Sequence, residues 1–310
     1  MDVTEPKVNR DAGAAQSETV LGCVTGVPVL RHTRALKLVL GLTLAIMVAE
    51  VIGGWLANSL ALLADAGHML TDSAAVALAL FASWIATRPA TAEKTFGYLR
   101  LEILAALING TVLIVLAGLI VWQAIGRLMI APDIEPRIMF GVAALGLVGN
   151  AVALRILHAG HMQSLNVRGA YLHVLGDLLG SVGAVTAGAV ILLTGWTLAD
   201  PLISLFIAIL ILIGAVRLVR ESVDVLLEAT PPHIDLSEVA AAIAAVPGVT
   251  QVHDLHVWTV TSGVVAMSGH AVVCAPEQNQ KVLEAVQDRM EQLGIHHVTL
   301  QVENVEGGCG

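Results

Sequence analysis

Charge is what this sequence has least of: only 13% of its 310 residues are Asp, Glu, Lys or Arg, against about a quarter in an ordinary soluble domain. That scarcity excludes a soluble globule, whose helices bury one stripe and leave a polar face. Cysteine is scarce as well. Cys23, Cys274 and Cys309 are odd in number, far apart and without a CxxC pair, so neither a disulfide framework nor a thiolate zinc finger is indicated. The opening residues up to position 35 lack a basic start followed at once by an apolar core, so no cleaved signal peptide is read there. No HExxH element and no GxSxG element occurs, which removes the usual signatures of an intramembrane hydrolase.

What the chain has in quantity is apolar sequence, 56% of its residues. Six segments stay apolar all the way round for roughly the twenty residues that a bilayer core requires. They run Leu38–Ala57, Leu60–Ala86, Ile103–Ile125, Ile138–Leu154, Ala170–Gly195 and Leu198–Val216. With the N-terminus inside, twelve Lys and Arg flank the spans on the inner side, and only Arg127 and Arg137 lie outside. Basic residues near spans stay on the cytoplasmic side, so both termini are expected in the cytoplasm. The expected division is a tail at 1–35, a six-helix membrane domain at 36–220 and a cytoplasmic domain at 221–310.

The last of these changes character. Asp235 and Glu238 have capping-box spacing ahead of Val239, Ile243 and Val246, which predicts a helix ending at Pro247-Gly248. Two β-rich runs, Val249–Val260 and Val264–Val273, flank Thr261-Ser262-Gly263, a hairpin pattern. Leu283, Val286, Met290 and Leu293 form a second helical stripe stopped by Gly294, before a third strand over Ile295–Glu303. From Glu221 onward there are twelve acids against Lys281 and Arg289, with six of the eleven histidines. An acidic, histidine-rich surface suits divalent cations and argues against nucleic acid, which needs a basic face.

The second and fifth spans each carry a His and an Asp four residues apart: His68 with Asp72, and His173 with Asp177. On a helix those positions share a face. Two such helices meeting would offer two imidazoles and two carboxylates, the number and type of donors that zinc accepts. Each Asp near a bilayer centre costs about 2.5–3.5 kcal/mol on insertion scales, so a metal or proton site explains the pairs better than His–Asp hydrogen bonding alone. Gly176, Gly180, Ala184 and Gly188 recur every four residues, a small-residue stripe that lets another helix approach. Asp65 lies three residues before His68 and suits a metal-admitting or proton-relay group, while helix–helix hydrogen bonding is the alternative for Glu50, Asp65, Asn109 and Asn150.

The stretches SLALLADAGHMLTDSAAVALALFASWIA, FGYLRLEILAALING, SLNVRGAYLHVLGDLLGSVGAV, ADPLISLFIAILIL and VHDLHVWTVTSGVVAMSGHAVV resemble the cation diffusion facilitator family, in its zinc-transporting branch, over about residues 36–303. The resemblance implies an α-helical membrane protein of six transmembrane helices followed by a small α+β ferredoxin-like cytoplasmic domain. It implies a homodimeric secondary transporter in the cell inner membrane, exporting Zn2+ from the cytoplasm in exchange for H+, with His68, Asp72, His173 and Asp177 as the transport site. A span-two histidine marks the zinc-selective branch, so His68 favours zinc; broader divalent export of Cd2+ or Co2+ is the alternative, and a membrane-bound metal sensor without flux a further one. By the same likeness His253, His270, His296 and Glu303 are candidate zinc ligands of the cytoplasmic domain, with Cys309 a lone counterpart of a terminal cysteine ligand. The stretch Thr87–Leu99 has no histidine, so the loop metal site of some relatives is expected to be absent, and His158 and His161 are expected to be ordinary loop histidines.

Overall fold

The computed structural model describes residues 33–86, 88, 90–158 and 165–304. Six long helices come first: α1 Thr33–Ala57, α2 Leu60–Ala86, α3 Leu101–Met129, α4 Pro136–His158, α5 Leu165–Thr194 and α6 Ala199–Leu226. Among the described residues, five helices, all but α2, are long and apolar enough to cross a membrane by length and composition. The remaining one, α2, has the length at 27 residues and carries Asp65, His68, Thr71, Asp72 and Ser73 along it.

Several helices outrun the apolar segments that announce them, because hydropathy marks the bilayer and not the end of helical hydrogen bonding. The largest difference is at α6, expected to end at Val216 and continuing to Leu226. Its polar extension carries an Arg217 Nε–Glu221 Oε1 pair at 2.8 Å, spaced i,i+4. α5 stops where expected, because Gly195 takes a left-handed φ of +71° and its N–H bonds back to Ile191 O at 2.8 Å.

Large apolar side chains cover the outside of the bundle. Trp55, Trp122 and Trp196 are all at least half exposed near the ends of α1, α3 and α5, at one end of the bundle, as interfacial tryptophans in an aromatic belt are. Inside, α2 packs against α1, α3 and α6, and more lightly against α5; α3 packs on α6, and α4 lies between α1 and α5. Small residues permit the closest of these approaches. A Cβ on Gly149 would collide with Ile46, and one on Gly188 would sit 3.1 Å from the Phe140 backbone.

The C-terminal domain follows the predicted order: α7 Leu236–Ala244, β1 Val249–Thr261, β2 Val264–Val273, α8 Asn279–Gln292 and β3 His297–Asn304. Asp235 caps α7 by accepting from Ser237 N at 2.8 Å. β1 and β2 form an antiparallel hairpin, and β3 returns parallel to β2 after the α8 crossover, giving the order β1-β2-β3. Val239, Ile243, Val257, Met267, Val286 and Met290 build its core between helices and sheet. Asp254 has φ +50° where the β1–β2 register shifts between His253 and His256, a bulge that re-aims the neighbouring side chains. Cys274 is disulfide-bonded, which corrects the expectation of unlinked thiols; Cys23, His161 and Cys309 lie outside the described residues.

Candidate metal sites

α2 and α5 bring the two His-x3-Asp pairs together. His68 Nε2 stands 3.5 Å from Asp72 Oδ2, His173 Nδ1 stands 3.4 Å from the same oxygen, and His173 Nε2 stands 3.6 Å from Asp177 Oδ2. The two imidazole rings are 6.3 Å apart between centroids. These separations are too long for hydrogen bonds. Pair by pair they approach the roughly 3.3–3.4 Å edge of a zinc tetrahedron, but no three of the four side chains bring one ligand atom each within 4.8 Å of one another. The four groups form a chain rather than a closed polyhedron, because His173 meets the two carboxylates through different ring nitrogens.

The burial of the group is graded. The Asp177 side chain is fully buried, Asp72 is 19% exposed and His173 40% exposed, so the group opens toward His173. Both Asp177 oxygens and His68 Nδ1 are buried without a hydrogen-bond partner. An unpaired buried polar group costs about 1–3 kcal/mol, more for an ion, so these atoms mark a place where the packing leaves polar groups unsatisfied.

Behind the group lies a second set of buried polar residues. Asp65 is 2% exposed, and Gly180 of α5 makes room for it, since a Cβ there would stand 3.0 Å from Asp65 Oδ1. Asn150 Nδ2 of α4 donates to Ser181 Oγ at 3.0 Å, which supports the reading of Asn150 as a helix–helix hydrogen-bonding residue. Glu50 of α1 does not fit that reading: it is 1% exposed and both its oxygens lack a partner.

Sequence reasoning passed over Asp200. This fully buried residue at the start of α6 accepts from Ser59 Oγ at 2.6 Å, Leu60 N at 2.9 Å and Ala61 N at 3.1 Å. It thereby caps α2, the helix carrying His68 and Asp72, from a different helix. Arg127 Nη1 stands 3.6 Å from Asp200 and also donates to Asn58 O at 2.6 Å. The available signal was an Asp opening an apolar span together with an Arg on the side of the membrane where basic residues are few.

The C-terminal domain carries the second cluster. Among the described residues, His253, His270 and Glu303 form the group of three or more His, Cys, Asp or Glu whose ligand atoms lie within 4.8 Å of one another. The hairpin register sets His253 opposite His270, and β3 places Glu303 beside Val272. His253 Nε2 is 3.2 Å and His270 Nδ1 2.8 Å from the Glu303 carboxylate. These hydrogen bonds, chiefly that of His270, hold the Glu303 carboxyl below the usual range. Two imidazoles and a carboxylate with a free direction fit a zinc ion that takes water as its fourth ligand. Asp254 adds a flank, 3.0 Å from His256 Nε2 and 3.7 Å from His270 Nε2. His296 is not brought to the cluster. It precedes β3 by one residue and is exposed, and the strand rise sets it about 23 Å from Glu303.

Side-chain contacts join the domains, among them an edge-on contact of Phe96 with the His297 ring at 5.7 Å. Thr261 and Ser262, at the hairpin turn, donate to Glu102 of α3 at 2.8 and 3.1 Å, and Arg100 pairs with Glu228 at 2.8 Å.

Comparison with known proteins agrees with this architecture. The profile described as the cation efflux transmembrane domain matches residues 36–227, and that of the cation efflux protein cytoplasmic domain matches 231–305. A Bacillus subtilis protein named cadmium, cobalt and zinc/H(+)-K(+) antiporter is 44% identical over 262 residues, 83% of this chain and 84% of its own. The zinc transporter ZitB of Escherichia coli is 44% identical over 280 residues, 89% of each chain. The metal cation efflux system protein CzcD of Cupriavidus metallidurans is 45% identical over 274 residues, 88% of this chain and 87% of its own. The metal-bound C-terminal domain of a CzcD transporter is 39% identical, covering 23% of this chain and 99% of that one, with a TM-score of 0.22. This multipass membrane protein with a C-terminal α+β domain belongs to the cation diffusion facilitator family of metal cation efflux proteins, in its zinc-transporting branch.

Proposed function

We propose that the chain is a Zn2+/H+ antiporter that exports zinc from the cytoplasm by alternating access, using His68, Asp72, His173 and Asp177 as its transport site. The observation that carries this reading is that α2 and α5 set the four side chains next to one another in one partly buried group, with pairwise separations of 3.4–3.6 Å. The two aspartates balance the charge of the dication. Neutral histidine coordinates and protonated histidine does not, so zinc and protons compete for one set of atoms. Zinc taken up from the cytoplasm leaves when protons from the other side occupy its ligands, and Asp65, buried one turn behind His68, relays them. The names of the relatives include both zinc with H+ exchange and a wider set with cadmium and cobalt; histidine at position 68 favours zinc within that set.

The same reading places the protein in the cell inner membrane as a homodimer with both termini cytoplasmic, in keeping with the placement of its basic residues. His253, His270 and Glu303 hold a regulatory zinc there, and the Glu102 contacts with the hairpin turn pass its presence to α3. The test is zinc uptake into inverted membrane vesicles with and without a pH gradient, for wild type, Asp72→Ala and Asp177→Ala. Gradient-dependent uptake abolished by either substitution is expected. Uptake indifferent to the gradient, or to both substitutions, contradicts the reading.

A further inference from the structure

We propose that Glu50 is a proton-carrying residue separate from the metal ligands, so that one counter-proton rides on α1 and not on the histidines that release zinc. This rests on the antiport reading and assigns one of its protons a place. Glu50 sits within α1, 1% exposed, with neither carboxylate oxygen hydrogen-bonded. Its partner helix leaves space for it: at Gly146 of α4 a Cβ would stand 2.5 Å from Glu50 Oε1. α4 therefore presents no side chain at the one place where a longer residue would push the carboxyl aside.

The groups facing Glu50 electrostatically are Asp65 of α2 and Asp177 of α5, and both are acids. A carboxylate with no donor and two acidic neighbours, enclosed by apolar helices, is neutral or is neutralised by a bound cation. A metal ion or potassium needs several oxygen ligands around it, whereas Oε1 of Glu50 lies against Gly146 and neither oxygen has a hydrogen-bond partner. A proton needs only the carboxyl itself. Zinc arriving between Asp72 and Asp177 reverses the local field, because two positive charges replace the repulsion from Asp177. The Glu50 proton is then released, and it returns when zinc leaves. The exchange balances as one proton lost for each zinc bound, beyond those displaced from the histidines.

The test uses the full chain in proteoliposomes, with one dye for zinc and one for protons, and compares wild type with Glu50→Gln, the neutral isostere. Expected are a zinc affinity for the purified variant that is lower and less dependent on pH than that of wild type, and fewer protons moved per zinc. Gly146→Ala provides a second reading: its methyl group displaces the carboxyl and shifts the pH midpoint of uptake while the metal ligands stay intact. A wild-type proton-to-zinc ratio in Glu50→Gln overturns the proposal, as does a potassium requirement lost in that variant, which would make the site one for potassium. Should Glu50→Gln not fold, an unshifted pH midpoint in Gly146→Ala overturns it equally. Zinc uptake by wild type that moves no protons at all would instead defeat the antiport reading itself.

Discussion

The chain holds two His–carboxylate groups of the same chemistry in opposite settings. In the C-terminal domain the donors are half exposed and already hydrogen-bonded to one another at 2.8 and 3.2 Å. Within the bundle the spacings are 3.4–3.6 Å, and the Asp177 oxygens have no partner. The first group is satisfied without an ion because water and its own hydrogen bonds solvate it. The second has buried carboxylate oxygens that no donor in the protein satisfies. Donors already hydrogen-bonded near solvent suit the resident ion proposed for the C-terminal domain, whereas unpaired buried donors suit the exchanged ion proposed for the bundle.

The sharpest way to break this comparison is to remove a ligand from each group. Asp177→Asn is expected to lower zinc uptake at least about 100-fold, the upper end of what even an outer-shell partner of a metal site costs, measured in proteoliposomes against the protein content. Glu303→Gln is expected to remove zinc from the C-terminal domain, read by equilibrium dialysis, and to leave the transport site's metal in place.

A second contrast concerns what holds each group. The C-terminal group stands on a hairpin and the strand beside it, whereas in the bundle His68 and Asp72 stand on α2, pinned at its start by Asp200, and His173 and Asp177 on α5. Asp200→Ala is expected to destabilise the protein by about 2–4 kcal/mol, from the lost cap and the orphaned Ser59 and backbone donors, seen as a lower thermal midpoint in detergent. Asp254→Asn is expected to weaken zinc binding to the C-terminal domain by about 10-fold, the lower range for a residue that orients a ligand.

The smallest effect lies in acid. The Glu303 carboxyl is held low in the fold by its histidine partners, so its contribution is full above the ordinary Glu value of about 4.3. It is lost as pH falls through the folded value. Glu303→Gln should flatten the acid limb of a pH–stability curve below about pH 4, and an unaltered limb would show that those hydrogen bonds contribute nothing.

Much of this was legible beforehand, and for identifiable reasons. Four-residue spacing puts His68 over Asp72 and His173 over Asp177 on any helix. The Gly180 gap then lets α5 reach Asp65, as the small-residue stripe suggested. The C-terminal strands were readable because β1 and β2 are β-branched runs broken by Ser262-Gly263. Asp200 was not readable, since its partners Ser59, Leu60 and Ala61 lie about 140 positions away, and nothing local to it asks for a cap. Glu50 was visible as an intramembrane acid, but its lack of any partner is a property of the packing alone. His296 was misplaced because a likeness carries over positions, and the strand between it and Glu303 sets the two apart.

The most direct test compares zinc uptake by two double variants side by side in proteoliposomes bearing a pH gradient: one lacks Asp72 and Asp177, the other lacks His253 and Glu303. The account predicts no uptake by the first and retained, gradient-driven uptake by the second. Retained uptake without the two aspartates, or uptake abolished only by loss of the C-terminal group, would contradict it.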